Sequence, residues 1–437
     1  MASTLLLLAS LVIGCTAQIR ENTAWSPILP GQPHAPETLQ MWTFHTGPEA
    51  VKVQAVLDRL HRDYPWLTVR LVPGKEDWDI LQSIYSGMPP DVAVLAGPAN
   101  VGKACATGAF ADLVRVGHAD GVDIPAMIPA PLLETATYQH ETCALPWLTD
   151  AFALYYNTAL FAEAGIDRPP RSLAELQADA RKLTTYNADG SIKVAGFVPL
   201  STFYHSEHMD QGPTFQAPWY RPDGKSALGD DPRWLAGLSW HKKFVDEMGY
   251  QKLQRFASQI GSDSEYTEAN AFHTGQVAMI LDGEWRQFQM AEQHANVPYA
   301  IAPFPTLDPA DYGAGQIGGT MISYPATARD PAASWLVVKY LALDFGAIDQ
   351  LATDLQNIPT TNATLEHSRY ARDPMHKTFI DITRNPKSLW KTPITAGEAD
   401  LQLLETYVQT MESEPANHIP AGLRELAGHI DAELEVN

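Results

Sequence analysis

The amino-acid sequence predicts an α/β protein of more than one unit. Runs with strand character alternate with runs of helical periodicity along the whole chain, the pattern of a layered α/β architecture. The length, 437 residues, exceeds what one hydrophobic core usually organises and favours two domains. The composition, 45% hydrophobic and 19% charged, is that of a globular chain and not of a disordered one.

The elements follow in order. Residues 39–43 read as a strand. Residues 48–64 have helical spacing, with Ala50, Val53, Val56, Leu57 and Leu60 on one face and Glu49 at the start, where a carboxylate suits the helix dipole. Residues 67–72 alternate apolar and polar, as a strand does. Residues 77–86 are helical, and Ser86-Gly87 stops them. Residues 91–95 (DVAVL) form a buried strand, so the fold opens β-α-β-α-β.

A second α/β region starts near Tyr155. Asn157 precedes a helix over 158–165 that ends at Gly165. Ser172 and Glu175 make a capping box for a helix over 173–183. Residues 186–190 (YNADG) form a turn and 194–198 a strand. A long amphipathic helix over 232–248 carries Trp234, Leu238 and Trp240. Further strands fall at 277–281, 299–303 and 320–324, and helices at 285–294, 331–343, 347–355, 374–382 and 398–413. No internal repeat is visible.

The net charge of -21 argues against nucleic acid or an anionic membrane surface as partner, because both repel it. It is compatible with a neutral or cationic ligand. Residues 1–15 are Leu-rich and end in Val12-Ile13-Gly14-Cys15. This apolar run is too short to span a bilayer. It resembles a bacterial lipoprotein signal, with Cys15 as the lipidated residue, although no Lys or Arg precedes Leu5; a plain secretory peptide is the alternative. Residues 16–36, with Pro27, Pro30, Pro33 and Pro36, read as an extended tether. In an exported protein Cys105 and Cys143 either pair or sit as two small buried residues, and both readings stay open.

The chemistry concentrates in residues 143–157 (CALPWLTDAFALYYN), a strand, a turn and a second strand. Trp147 offers a flat apolar face, Thr149 a hydroxyl and Asp150 a carboxylate. A polyhydroxylated ligand needs such a face and such acceptors.

Several blocks, in order, resemble the family 1 extracellular solute-binding proteins, the maltose-binding-protein-like receptors of sugar ABC transporters. They are WTFHTG at 42–47, GMPPDV at 87–92, GAFADL at 108–113, residues 144–157, FAEAGIDRP at 161–169, FHTGQVAMILDGEW at 272–285, APFP at 302–305, Gly318-Gly319 and PTT at 359–361. The resemblance implies a type II periplasmic-binding-protein-like fold: two α/β lobes with a ligand cleft and a hinge. Lobe 1 is expected at 37–147 plus 303–341 and lobe 2 at 148–299 plus 345–437. The chain is expected to cross between them near Trp147, at 299–303 and at 341–344. It further implies a monomer without cofactor that closes on a sugar or oligosaccharide and delivers it to ABC permease subunits. The expected location is the outer face of the bacterial cell membrane, held by the lipid on Cys15.

By position, the resemblance implies Asp150 as an acceptor of sugar hydroxyls and Trp285 as a stacking ring aimed by Gly283. Trp147, Glu284, His45 and Thr46 are implied as further contacts. Gly318, Gly319 and Thr320 would present backbone N–H groups. Tyr204, Trp219 and Trp390 are further aromatic candidates. One departure stands out: many sugar-binding relatives carry an aromatic and a carboxylate after the third strand, where this chain has Leu95-Ala96-Gly97-Pro98.

Other motifs lack their structural context. Residues 313–318 spell G-x-G-x-x-G, but a loop precedes and a strand follows, where a dinucleotide site needs a strand and then a helix. His205-Ser206-Glu207-His208 lacks the helical pair of a zinc protease. The rival class is a secreted glycosidase working with two carboxylates from among Asp150, Glu265, Asp282 and Glu284. A non-sugar solute such as a glycerophosphodiester is the rival ligand.

Overall fold

A computed structural model describes residue 28 and residues 34–206, 212–389 and 393–436. The lipidation residue Cys15 and the candidate Trp390 lie outside the described residues, as do Glu207 and His208.

The first strand, β1 (Glu37–Trp42), leads into α1 (Gly47–Asp63), β2 (Leu67–Val72), α2 (Asp77–Tyr85) and β3 (Val92–Leu95). After α3 (Val101–Ala106) come β4 (Leu145–Pro146) and β5 (Phe152–Asn157). The chain continues through α4 (Leu173–Leu183), α5 (Pro232–Met248), β6 (Met279–Gly283), α6 (Trp285–Glu292), β7 (Tyr299–Ala302) and β8 (Met321–Ser323). The helices α7 (Pro331–Leu343), α8 (Phe345–Leu355), α9 (Ala399–Ser413) and α10 (Ile419–Val436) follow.

Two sheets organise these elements. The first has five strands in the order β2-β1-β3-β8-β4. Strands β1, β2 and β3 run parallel, and β8 is antiparallel to β3 and β4. The second has the antiparallel order β6-β5-β7. The α1 stripe of Val53, Val56, Leu57 and Leu60 is buried together with Leu39, Met41, Val92 and Val94 of the first sheet. Each such side chain contributes roughly 1.5–3 kcal/mol by leaving water. Ser172 accepts from the Glu175 N–H and caps α4 as its sequence implies.

Some expectations need correction. Residues 197 and 198 are not strand; β-structure there ends at Val194 with a bridge at Ala195. Phe197 and Val198 are buried in a loop, and a short apolar run does not distinguish buried loop from strand. The later crossings also fall elsewhere. After β7, Thr306 bridges Ser172 and the Leu307 N–H bonds the Thr214 carbonyl, so the chain stays beside the second sheet until Gln316. Helix α8 packs on α1, with Arg59 at 3.6 Å from Asp344, so no crossing occurs at 341–344.

The backbone instead passes between the sheets at 147–151 and 316–320, and a third segment, 356–360, runs beside them. Thr149 and Ile358 exchange N–H to carbonyl bonds of 2.9 and 3.0 Å. The Gly318 N–H donates to the Asp150 carbonyl at 3.0 Å, and Ala151 bridges Ile317. Gly319 has φ +101°, and a Cβ there would lie 2.5 Å from the Leu148 carbonyl oxygen. The local geometry therefore requires glycine. Cys105 on α3 and Cys143 before β4 are joined in a disulfide with Cα atoms 5.6 Å apart, which settles the alternative left open by their spacing.

Two outcomes are expected. Gly319→Ala lowers the thermal midpoint, because backbone strain and a backbone clash act together; an unchanged melting curve would show that the crossing relaxes freely. Replacing both cysteines by Ala, across their separation of 38 residues, lowers stability by roughly 2–4 kcal/mol in urea titration.

Candidate functional site

A cleft of about 420 Å³ opens beside the crossing segments. Asp77 at the start of α2 and the 96–99 loop after β3 form one wall. This is the carboxyl end of the parallel strands, where open α/β sheets bind ligands. The crossing contributes Asp150, Phe152, Gln316, Gly318 and Gly319. Tyr204, His205, Glu265 and Tyr266 line the opposite side, and Glu398, just before α9, completes it.

Asp150 heads a buried polar cluster. Asn357 donates from Nδ2 to Asp150 Oδ1 at 2.7 Å and to Glu284 Oε1 at 3.3 Å. The Ala151 N–H donates to Glu284 Oε2 at 3.1 Å. The two carboxyl groups hydrogen-bond each other. Glu284 is only 3% exposed. Burial first, and then the Asp150 charge, hold its carboxyl well above the usual carboxylate range. Burial also raises Asp150, while its bonds from Glu284 and Asn357 oppose the rise. Glu284 thus carries the proton and donates it towards Asp150, which keeps an acceptor facing the cleft.

The opposite wall is held from behind by Arg286. Its Nε donates to Asp282 Oδ2 at 2.6 Å, with both side chains out of contact with solvent, and Nη1 donates to the Glu265 carbonyl at 2.8 Å. That bond fixes the backbone carrying Glu265 and Tyr266. His205 Nε2 lies 3.2 Å from Glu265 Oε1. The Tyr204 hydroxyl is tied to Ser264 Oγ and to the Ala271 N–H, both at 2.9 Å, so its ring is what it offers.

The other sequence-derived candidates separate. Trp147 is wholly buried and its indole N–H bonds the Leu341 carbonyl at 3.2 Å, so it is a core residue without a free face. His45 is buried against Thr43, with Nδ1 2.7 Å from Oγ1, and burial lowers its pKa to about 4. Thr46 precedes α1 and is exposed, outside the cleft lining. Trp285 stands behind the wall, edge to face with Phe152 at 5.3 Å and His205 at 5.5 Å. Its ring lies against Gly283, where any Cβ would come within 2.2 Å of it. Glu284 lies beneath Asp150 and not in the lining. Trp219 lines a separate cavity of about 290 Å³ with Gln216, Arg233 and Leu389.

The backbone N–H of Gly318 is committed to the Asp150 carbonyl and is not free for a ligand. Thr320 binds the first crossing through its carbonyl, which accepts from the Trp147 N–H at 2.8 Å. The polar and aromatic lining residues that sequence reasoning did not assign to the ligand are Asp77, Phe152, His205, Glu265, Tyr266, Gln316 and Glu398. Asp77 places a carboxylate beside the 95–98 loop: its Oδ1 accepts from the Ala96 N–H at 2.8 Å. In the sequence Asp77 is one of several acidic residues at a helix start, a signal fully explained by the helix dipole. Residues 313–318 run into β8 and not into a helix. Among the described residues no group of three or more His, Cys, Asp or Glu is placed to hold a metal.

The chain matches the family described as bacterial extracellular solute-binding protein over residues 49–344, more than half its length, and belongs to that family. Membership places its work outside the cytoplasm. A Brucella abortus protein named as a binding protein is 23% identical over 325 residues, covering 70% of this chain and 71% of the relative. The maltotriose-binding protein of Pyrococcus abyssi is 22% identical over 264 residues, or 60% of this chain and 53% of its own. Among solved structures, one with mannotriose bound aligns at TM-score 0.73 and 19% identity over 89% of this chain and 99% of that one. A sugar-binding protein from Xanthomonas citri aligns at TM-score 0.74 and 19% identity over 92% and 98%. The fold is thus the α/β, type II periplasmic-binding-protein-like one.

The Glu284 proton has a consequence for stability. The unfolded chain releases it near 4.5 and the folded protein keeps it to higher pH. The folded state therefore binds more protons above that pH, and stability falls as pH rises from about 4.5 towards the folded value. Glu284→Gln keeps a hydrogen-bond donor and removes the titration. It is expected to flatten the dependence of the thermal midpoint on pH, whereas Glu284→Ala costs about 1–3 kcal/mol. A Gln variant with the parent's pH slope would place the proton elsewhere.

Proposed function

We propose that this protein captures a saccharide in the cleft and delivers it to the membrane subunits of an ABC importer. The observation that carries the reading is the chemistry of the walls. Carboxylates at Asp77, Asp150, Glu265 and Glu398 accept hydrogen bonds, and rings at Phe152, Tyr204 and Tyr266 offer faces. Acceptors beside aromatic faces suit a polyol that is polar at its rim and apolar on its face. The relatives named for maltotriose and solved with mannotriose support the same ligand class.

On this reading the chain forms two lobes, one on each sheet, hinged where 147–151, 316–320 and 356–360 run side by side. Ligand drives closure by binding the closed form better than the open one. Asp150 lies at the hinge and in the cleft, so it contacts the ligand. Gly318 and Gly319 line the floor, Tyr204 supplies a ring, and Glu284, Trp285 and Thr320 support from behind. The protein is monomeric, is anchored by a lipid on Cys15 and releases its ligand unchanged.

Calorimetry with di- and trisaccharides tests the reading. Asp150→Ala is expected to weaken binding by about 1–3 kcal/mol with the fold retained. Equal affinity in parent and variant would move the ligand out of this cleft. Steady release of free sugar from a bound oligosaccharide would make the protein an enzyme.

A further inference from the structure

The charge of the cleft is one-sided. Asp77 projects from the first-sheet half, Asp150 from the crossing and Glu265 from the other half, while Glu398 sits in the segment before α9, whose Ile394 and Gly397 lie against Gly102 and Asn100. No Lys or Arg is among the described residues that line it. Asp77 is anchored by the Ala96 N–H and by Asn100 Nδ2 at 3.0 Å, so it does not swing away. Burial raises its pKa, and the Glu398 charge adds to the rise. Like charges therefore share one end of the cleft.

A second observation concerns hydrogen bonding. Gln316 is only 3% exposed, lines the same cleft, and its Oε1 has no partner. A buried acceptor left unmet is costly. Among the described lining residues the one titratable cation, His205, is engaged with Glu265, so Asp77, Glu398 and Gln316 Oε1 are left without a cationic or donating partner from the lining side chains. Sugar hydroxyls supply donors but leave the repulsion between facing carboxylates. A protonated amine supplies three donors and the charge together.

We propose that the ligand is a cationic saccharide, an amino sugar or an oligosaccharide containing one, with its ammonium group seated between Asp77 and Glu398. The inference rests on the saccharide reading above and narrows it. The ammonium relieves the repulsion between Asp77 and Glu398, so it is preferred over a neutral group at this end of the cleft. A chain of net charge -21 also draws such a ligand towards itself. Uronates and sugar phosphates are rejected for the same reason.

The test uses the full chain and matched sets: glucosamine, glucose and glucuronate; mannosamine, mannose and mannuronate; and their linear trimers. Affinities are measured by calorimetry at low and high salt, in the parent and in Glu398→Gln. Glu398 is exposed and makes no capping bond to α9, so its replacement spares the fold. The amine of a set is expected to bind about tenfold tighter than its neutral partner, the gap between charge-assisted and neutral hydrogen bonds. The preference should shrink with salt and in the variant. A neutral sugar that binds as tightly as its amine, with Glu398→Gln unchanged, overturns the charge assignment and leaves saccharide capture standing. Failure of every sugar, whatever its charge, overturns both.

Discussion

Two stretches of backbone connect the two sheets and a third is held within hydrogen-bonding distance of them, and the cleft lies beside this joint. Thr149 pairs with Ile358, and Asp150 with Gly318. Gly319 fits only because it has no Cβ. The same stretches place Asp150, Gln316, Gly318 and Gly319 in the cleft. Joint and binding surface are thus one object, and a ligand that touches Asp150 acts on the joint directly.

The carboxyl cluster behind Asp150 follows from that arrangement. Two ionised carboxylates at this depth would repel in a poorly screened setting. One proton held by Glu284, with Asn357 bridging both groups, removes the repulsion and keeps Asp150 as an acceptor. The outer walls have no such remedy. Asp77 and Glu398 share the cleft with no Lys or Arg among the described lining residues, the imbalance that the proposed cationic ligand would correct.

Much of the fold was legible because its signals are local. The bounds of Leu67–Val72, Leu173–Leu183 and Pro232–Met248 agree with the expected ones. Alternation, a serine cap or a proline at the first turn marks each of them within a few residues of chain. The site was legible only in part. Asp150, Tyr204, Gly318 and Gly319 do line the cleft, whereas Trp147 and His45 point into the core. A tryptophan at a strand end looks the same in sequence whether its face is packed or free. His205 and Glu265 attracted other readings, as metal or catalytic groups, because each was considered without the other; they meet at 3.2 Å from 60 positions apart.

By itself the sequence determined the α/β class, most element positions and the acidic balance, because periodicity, caps and charge are properties of short stretches or of plain composition. Tertiary structure decided where the chain crosses, which aromatic rings are buried, that Cys105 and Cys143 are joined, and which carboxylates face one another. Those outcomes depend on contacts between residues far apart in the chain. Asp77 and Glu398 are separated by 321 positions (398 − 77), and only closure of the backbone around the crossing brings their charges into one cleft.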